Sequence, residues 1–144
     1  MIVCKFGGTS VQDAEAMERV AGIISRRLKD TPVVVASAMG KTTNRLLEAA
    51  KTAAHGKRQE ALDILASLKD KHLGEAQKLG LKVGPSDDVG EVIHSHFREM
   101  GNIVKGLSIL GELTPRSMDA IASFGERLAT VILAHAFSIR GIPA

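Results

Sequence analysis

Apolar residues recur along this chain in two rhythms. Ile2 to Phe6 is a short apolar stretch ending in Gly7-Gly8, and Val33-Val34-Val35-Ala36 is a continuous, mostly β-branched run after Pro32. Such runs read as strands buried on both faces, because parallel strands covered by helices lose the polar alternation. Between them Met17, Val20, Ile24 and Leu28 recur at helical spacing, with Asp13 and Glu15 near the start and Arg26, Arg27 and Lys29 near the end. That order of charge suits the helix dipole. Residues 1 to 37 therefore predict a βαβ unit with two parallel strands and a right-handed crossover.

From Thr43 onward the pattern is helical, broken at Gly56, Gly80 to Pro85 and Gly111 to Pro115. Leu62, Leu65 and Leu68 mark one helix. Ser86-Asp87-Asp88 is placed to cap the next, whose Val92, Ile93, Phe97, Met100, Val104 and Leu107 share a broad face. Thr114 and Pro115 form an N-cap and first-turn pair for a final helix carrying Met118, Ile121, Leu128 and Ile132. An α/β domain usually closes its core with about five or six strands. Two strands followed by helices, with Gly141-Ile142-Pro143-Ala144 leaving the last helix, lead us to expect a truncated domain.

Three segments carry chemistry. Lys5-Phe6-Gly7-Gly8-Thr9-Ser10 lies between the first strand and first helix. Glycines there let backbone N–H groups approach an anion, a helix start adds partial positive charge, and Lys5 adds a full one. A tight turn that merely contains glycines is the alternative at this point. The loop Ser37-Ala38-Met39-Gly40-Lys41-Thr42-Thr43-Asn44 follows the second strand, and parallel strands end at one edge, so both loops should meet there. Gly40-Lys41-Thr42 is not a Walker-type loop, since the glycine required five positions earlier is Val35. The third segment is Ser123-Phe124-Gly125-Glu126-Arg127, where a mid-helix glycine suggests close approach and the charged pair alone would be solvated.

Composition narrows the classes. Of 144 residues, 44% are apolar and 24% charged, as expected of an ordinary folded domain. No apolar run approaches the roughly 20 residues of a bilayer span and no signal-peptide pattern is present, so we expect a cytoplasmic protein without a membrane partner. Net charge is +3, the cations are dispersed and aromatics are 3%, which argues against nucleic acid. Cys4 is the lone cysteine and reads as a small buried side chain. His55, His72, His94, His96 and His135 are scattered, and no metal site is expected from them.

Taken together, the three segments resemble the aspartokinase branch of the amino-acid kinase family across the whole chain. Lys5 to Val11 is similar to its opening signature, Ser37 to Asn44 to its substrate loop, and Ser123 to Glu126 to its third motif. The resemblance implies a three-layer α/β fold, of which residues 1–144 would be the N-terminal part of the catalytic domain. The nucleotide-binding half and regulatory domains would lie outside it. It implies transfer of the γ-phosphoryl group of ATP to the side-chain carboxylate of L-aspartate, with Mg²⁺, early in the biosynthesis of lysine and threonine. Lys5 would be catalytic; Lys5, Gly7, Gly8, Thr9 and Ser10 would bind phosphate; Ser37, Thr43 and Glu126 would hold aspartate. A homo-oligomer is expected, and the fragment alone should be inactive. The alternatives are another phosphotransferase of the same family and a non-catalytic helical interaction module.

Overall fold

A computed structural model describes the chain from Met1 to Ala144. Strand β1 (Ile2–Phe6) leads through a 3-10 turn (Gly8–Val11) into helix α1 (Ala14–Ser25), and a second 3-10 turn (Leu28–Asp30) precedes strand β2 (Pro32–Ala36). Four helices follow: α2 (Thr42–Ala54), α3 (Arg58–Lys78), α4 (Asp88–Leu110) and α5 (Pro115–Ser138). β1 and β2 pair in parallel, Ile2 opposite Pro32 and Phe6 opposite Ala36. The α/β class, the parallel βαβ start and the helical remainder all match the sequence reading.

The strands are not covered on both faces. Cys4, Phe6, Val34 and Ala36 pack on the core, whereas Val3, Val33 and Val35 are 71%, 46% and 45% exposed. A continuous apolar run fixes the residue type on each face of a strand but not whether this chain supplies the layer that covers it. Leu28 also departs from expectation: it falls in the 3-10 turn beyond α1 and is exposed.

The core is mainly helical. Met39, Leu46, Met100, Ile121, Leu128 and Ile132 are fully buried in one apolar cluster, each such aliphatic side chain contributing about 1.5–3 kcal/mol by leaving water. α2 sits among α3, α4 and α5, and its inward residues Ala49, Ala50 and Ala53 are small enough for three helices to approach it. Arg140, beyond α5, pairs with Glu18 on α1 and donates to the Leu79 carbonyl (3.1 Å), tying the C-terminal turn to two other elements.

Breaks fall where glycine was expected, with Gly56, Gly80 and Gly111 in left-handed conformation after α2, α3 and α4. Thr114 caps α5 by accepting from the Ser117 N–H (3.1 Å), with Pro115 in the first turn. Asp87 is the N-cap of α4, but its carboxylate accepts from the Gly84 N–H (2.8 Å) and caps the preceding turn instead. α5 alone has the length and mean hydropathy (1.2) of a bilayer span. Its buried residues, from Ile121 to Phe137, lie in the core.

Candidate functional site

The Ser37 N–H donates to the Phe6 carbonyl (3.0 Å), so the two strands stay joined to their ends before their loops diverge at one edge. In the first loop Gly7 is extended and the Ser10 N–H closes a turn onto the Gly7 carbonyl (2.9 Å). The N–H groups of Gly8 and Thr9 open that turn and have no partner within it. Its two glycines serve different ends. A Cβ on Gly8 would stand 3.2 Å from the Ala38 carbonyl oxygen, tighter than an ordinary contact, so the second loop would have to give way to a side chain there. A Cβ on Gly7 would meet nothing within 4 Å, and its φ of −73° suits any residue. The fold does not require Gly7; an approaching ligand would.

The start of α1, expected to add positive charge, is already partly occupied by carboxylates of the protein. Asp13 accepts from the Ala16 N–H and Glu75, reaching over from α3, accepts from the Ala14 N–H, both at 2.8 Å. Glu75 also pairs with Lys78 (2.7 Å). Partial burial pushes its carboxyl up, but the Lys78 and Ala14 hydrogen bonds prevail and hold it below the usual value.

In the second loop Ala38 and Met39 are buried, and Lys41 adopts φ 46°, a left-handed conformation uncommon for a residue with a side chain. The Thr42 N–H then donates to the Met39 carbonyl (3.0 Å) as α2 begins, leaving Thr43 half-buried in its first turn. A Cβ on Gly40 would lie 3.0 Å from the Gln12 Cβ, and the Lys71 ammonium reaches the Gly40 carbonyl from α3 (3.5 Å).

The third segment enters from α5. A Cβ on Gly125 would lie 2.9 Å from the Ala38 Cβ and 3.4 Å from the Thr42 Cγ2. This close approach seats the helix directly against the second loop. Glu126 and Arg127 are both exposed and do not pair with each other. Arg127 instead stacks on the Phe124 ring (4.7 Å to its centroid), which also meets the His96 ring edge to face (5.5 Å between centroids). Burial, then the nearby Arg127 charge, holds His96 below its usual pKa.

Gly8, Ala38, Gly40 and Gly125 therefore join the three segments at the end of the sheet. In these three segments Lys5, Thr9, Ser10, Ser37, Thr43 and Glu126 engage no other protein group through their side-chain polar atoms. Lys5 is exposed, opposite Val35 in the strand register. Two clefts, of about 540 and 470 Å³, lie elsewhere, along Asn44, Lys51 and His55 and along Val34, Leu133 and Phe137. Apart from Asn44, at the end of the second loop, they hold none of the motif residues, so convergence of motifs, not depth, defines the candidate site. No group of three or more His, Cys, Asp or Glu side chains is gathered in this structure.

A cation, free turn amides and a carboxylate belong to three segments that meet at the carboxyl edge of parallel strands, where open α/β folds bind their ligands. The amino acid kinase family model matches residues 1–144, and the chain belongs to that family. It is 40% identical over 130 residues to aspartokinase 2, chloroplastic, of Arabidopsis thaliana, covering 89% of this chain and 23% of that protein. It is 39% identical over 144 residues to the chloroplastic aspartokinase 1 of the same plant, covering 99% and 24%. The chain thus spans about a quarter of these relatives. Among solved structures, Escherichia coli aspartokinase III in complex with lysine and aspartate superimposes with a TM-score of 0.79 at 26% identity, covering 99% of this chain and 30% of that one. Its complex with aspartate and ADP gives 0.76 at 28% identity, covering 98% and 29%.

Three participants escaped the sequence reading. Ala38, at the centre of the junction, is an ordinary small residue in a loop. Lys71 and Glu75 lie one helical turn apart among the charges of α3, where a solvated pair is the usual meaning. Only the packing of α3 against both loops gives them a role.

Proposed function

We propose that this chain is the N-terminal part of an aspartate kinase catalytic domain, carrying its phosphate loop and its aspartate loop. The single observation behind this reading is the junction of three motifs at Ala38; on this reading their unengaged groups serve two anionic ligands. Aspartate in both E. coli aspartokinase III complexes, and ADP in one, support it.

In the proposed reaction a side-chain carboxylate oxygen of L-aspartate attacks the γ-phosphorus of ATP. The new O–P bond forms as the bond to the β,γ-bridging oxygen breaks, and ADP leaves with that electron pair, giving 4-phospho-L-aspartate. A carboxylate of ordinary pKa near 4 is already ionised at neutral pH, so no general base is needed. The obstacle is repulsion between anions. Lys5 opposes it on the transferring group, the Gly7, Gly8 and Thr9 amides hold phosphate oxygens with Ser10 beside them, and the Glu126 carboxylate holds the substrate ammonium, with Ser37 and Thr43 donating to the substrate. Mg²⁺ is expected with the nucleotide, and no step is assigned to it.

Activity requires residues outside this chain for adenine and ribose, so the chain alone should not turn over. Association of two copies would cover part of the exposed valine face, and light scattering tests it. The function is tested by giving the intact parent protein ATP and L-aspartate and trapping the acyl phosphate with hydroxylamine. Hydroxamate formation dependent on both substrates is expected; ATP turnover with a different acceptor and none with aspartate would overturn the assignment. The helical interaction module is disfavoured because Gly7 has no structural reason to be glycine.

A further inference from the structure

Two hydrogen bonds connect α3 to the site from outside its motifs. Glu75 accepts from the Ala14 N–H (2.8 Å), just beyond the first loop, and Lys71, one turn earlier, donates to the Gly40 carbonyl in the second (3.5 Å). Between these contacts Gly40 lies against Gln12 so tightly that a Cβ would come to 3.0 Å. The Glu75 side chain is only 12% exposed. The helical segment thus braces both loops at their contact.

We propose that Glu75, assisted by Lys71, is a positioning residue that fixes the phosphate loop relative to the aspartate loop and reserves anion binding for the Gly7 to Thr9 amides. It does the second by occupying one of the first-turn α1 amides that would otherwise compete. This rests on the proposed phosphate site and adds two residues to it that none of the motifs contains. The charge argument gives the test its direction. A carboxylate that were merely nearby would repel phosphate, and its removal would tighten binding. A carboxylate that positions the loop has the opposite effect, because its loss frees the loop to move.

The test uses backbone amide NMR shifts of the chain titrated with inorganic phosphate, for the wild type, Glu75→Gln, Glu75→Ala and Lys71→Met, with helical circular dichroism confirming each fold. Gln keeps an acceptor oxygen for Ala14, so E75Q should bind at least as tightly as wild type. E75A should bind about tenfold more weakly, the equivalent of one hydrogen bond of about 1.4 kcal/mol, and its Ala14 amide should begin to respond to phosphate. Before any phosphate is added, E75A should already shift the Gly8 and Gly40 amides, E75Q should leave them near wild type, and K71M should shift Gly40. Tighter binding by E75A, or unmoved Gly8 and Gly40 amides in phosphate-free E75A, would overturn the proposal. No response of wild-type Gly7 to Thr9 would instead overturn the phosphate site, while the phosphate-free shifts would still decide the bracing role.

Discussion

Gly125 of α5 faces Ala38 of the second loop so closely that a Cβ on the glycine would lie 2.9 Å from the alanine Cβ. An alanine methyl has no rotamer by which to move aside, so substitution must shift backbone. Gly125→Ala should gain about 1 kcal/mol of helix propensity and lose about 1–3 kcal/mol to overpacking. We expect a lower urea midpoint and weaker aspartate binding. A variant more stable than wild type would show that the contact yields easily.

Gly7 gives the opposite expectation. Its backbone is extended and open space surrounds the missing side chain, so Gly7→Ala should leave stability within about 0.5 kcal/mol. Phosphate affinity should fall at least tenfold, since the methyl would occupy the space proposed for the ligand. Unchanged stability with unchanged phosphate binding would remove Gly7 from the site.

In the intact enzyme, Lys5 and Glu126 should separate kinetically. Lys5 is assigned to charge on the transferring group, so Lys5→Ala should lower kcat on the order of 10²-fold. Glu126 is assigned to binding shared by ground and transition states, so Glu126→Ala should mainly raise KM for aspartate, by about tenfold. Equal effects of both substitutions on KM would contradict these roles.

His72 supplies a pH dependence. It is fully buried, its Nδ1–H donates to the Leu68 carbonyl (2.7 Å) and its Nε2 has no partner. Burial holds its pKa below the ordinary 6.5, the Leu68 bond opposing and the Lys71 charge adding to the effect. The unfolded chain therefore binds the proton more readily, and stability present above pH 6.5 is lost as pH falls below it. His96, also lowered, acts in the same direction. Urea midpoints of wild type should drop from pH 7 toward pH 5 by more than those of His72→Leu; parallel curves would exclude His72 as the source.

Much of this was legible in the sequence because local physics decides it. The valine run and the apolar Ile2 to Phe6 stretch gave both strands, and Gly56, Gly80 and Gly111 ended helices because each backbone turn there is left-handed. The motif loops were legible because parallel strands must end together. The exposed valine face was not, since residue type does not reveal which layers a chain supplies. Leu28 fitted helical spacing but stands beyond the turn that ends α1. Ser86-Asp87-Asp88 marked the N-cap of α4, which falls at Asp87, but composition cannot show that the Asp87 carboxylate turns back to Gly84. Glu75 was invisible for a deeper reason: its partner Ala14 is sixty-one positions away.

The central claim is that one junction presents a phosphate site and an aspartate site side by side. Backbone amide shifts of the wild-type chain, titrated with inorganic phosphate and then with L-aspartate, test it most directly. Phosphate should move Gly7, Gly8, Thr9 and Ser10, and aspartate should move Ser37, Thr43 and Glu126, with both sets saturating together when both ligands are present. Responses confined to the cleft along Asn44, Lys51 and His55, or no response to either ligand at the junction, would contradict it.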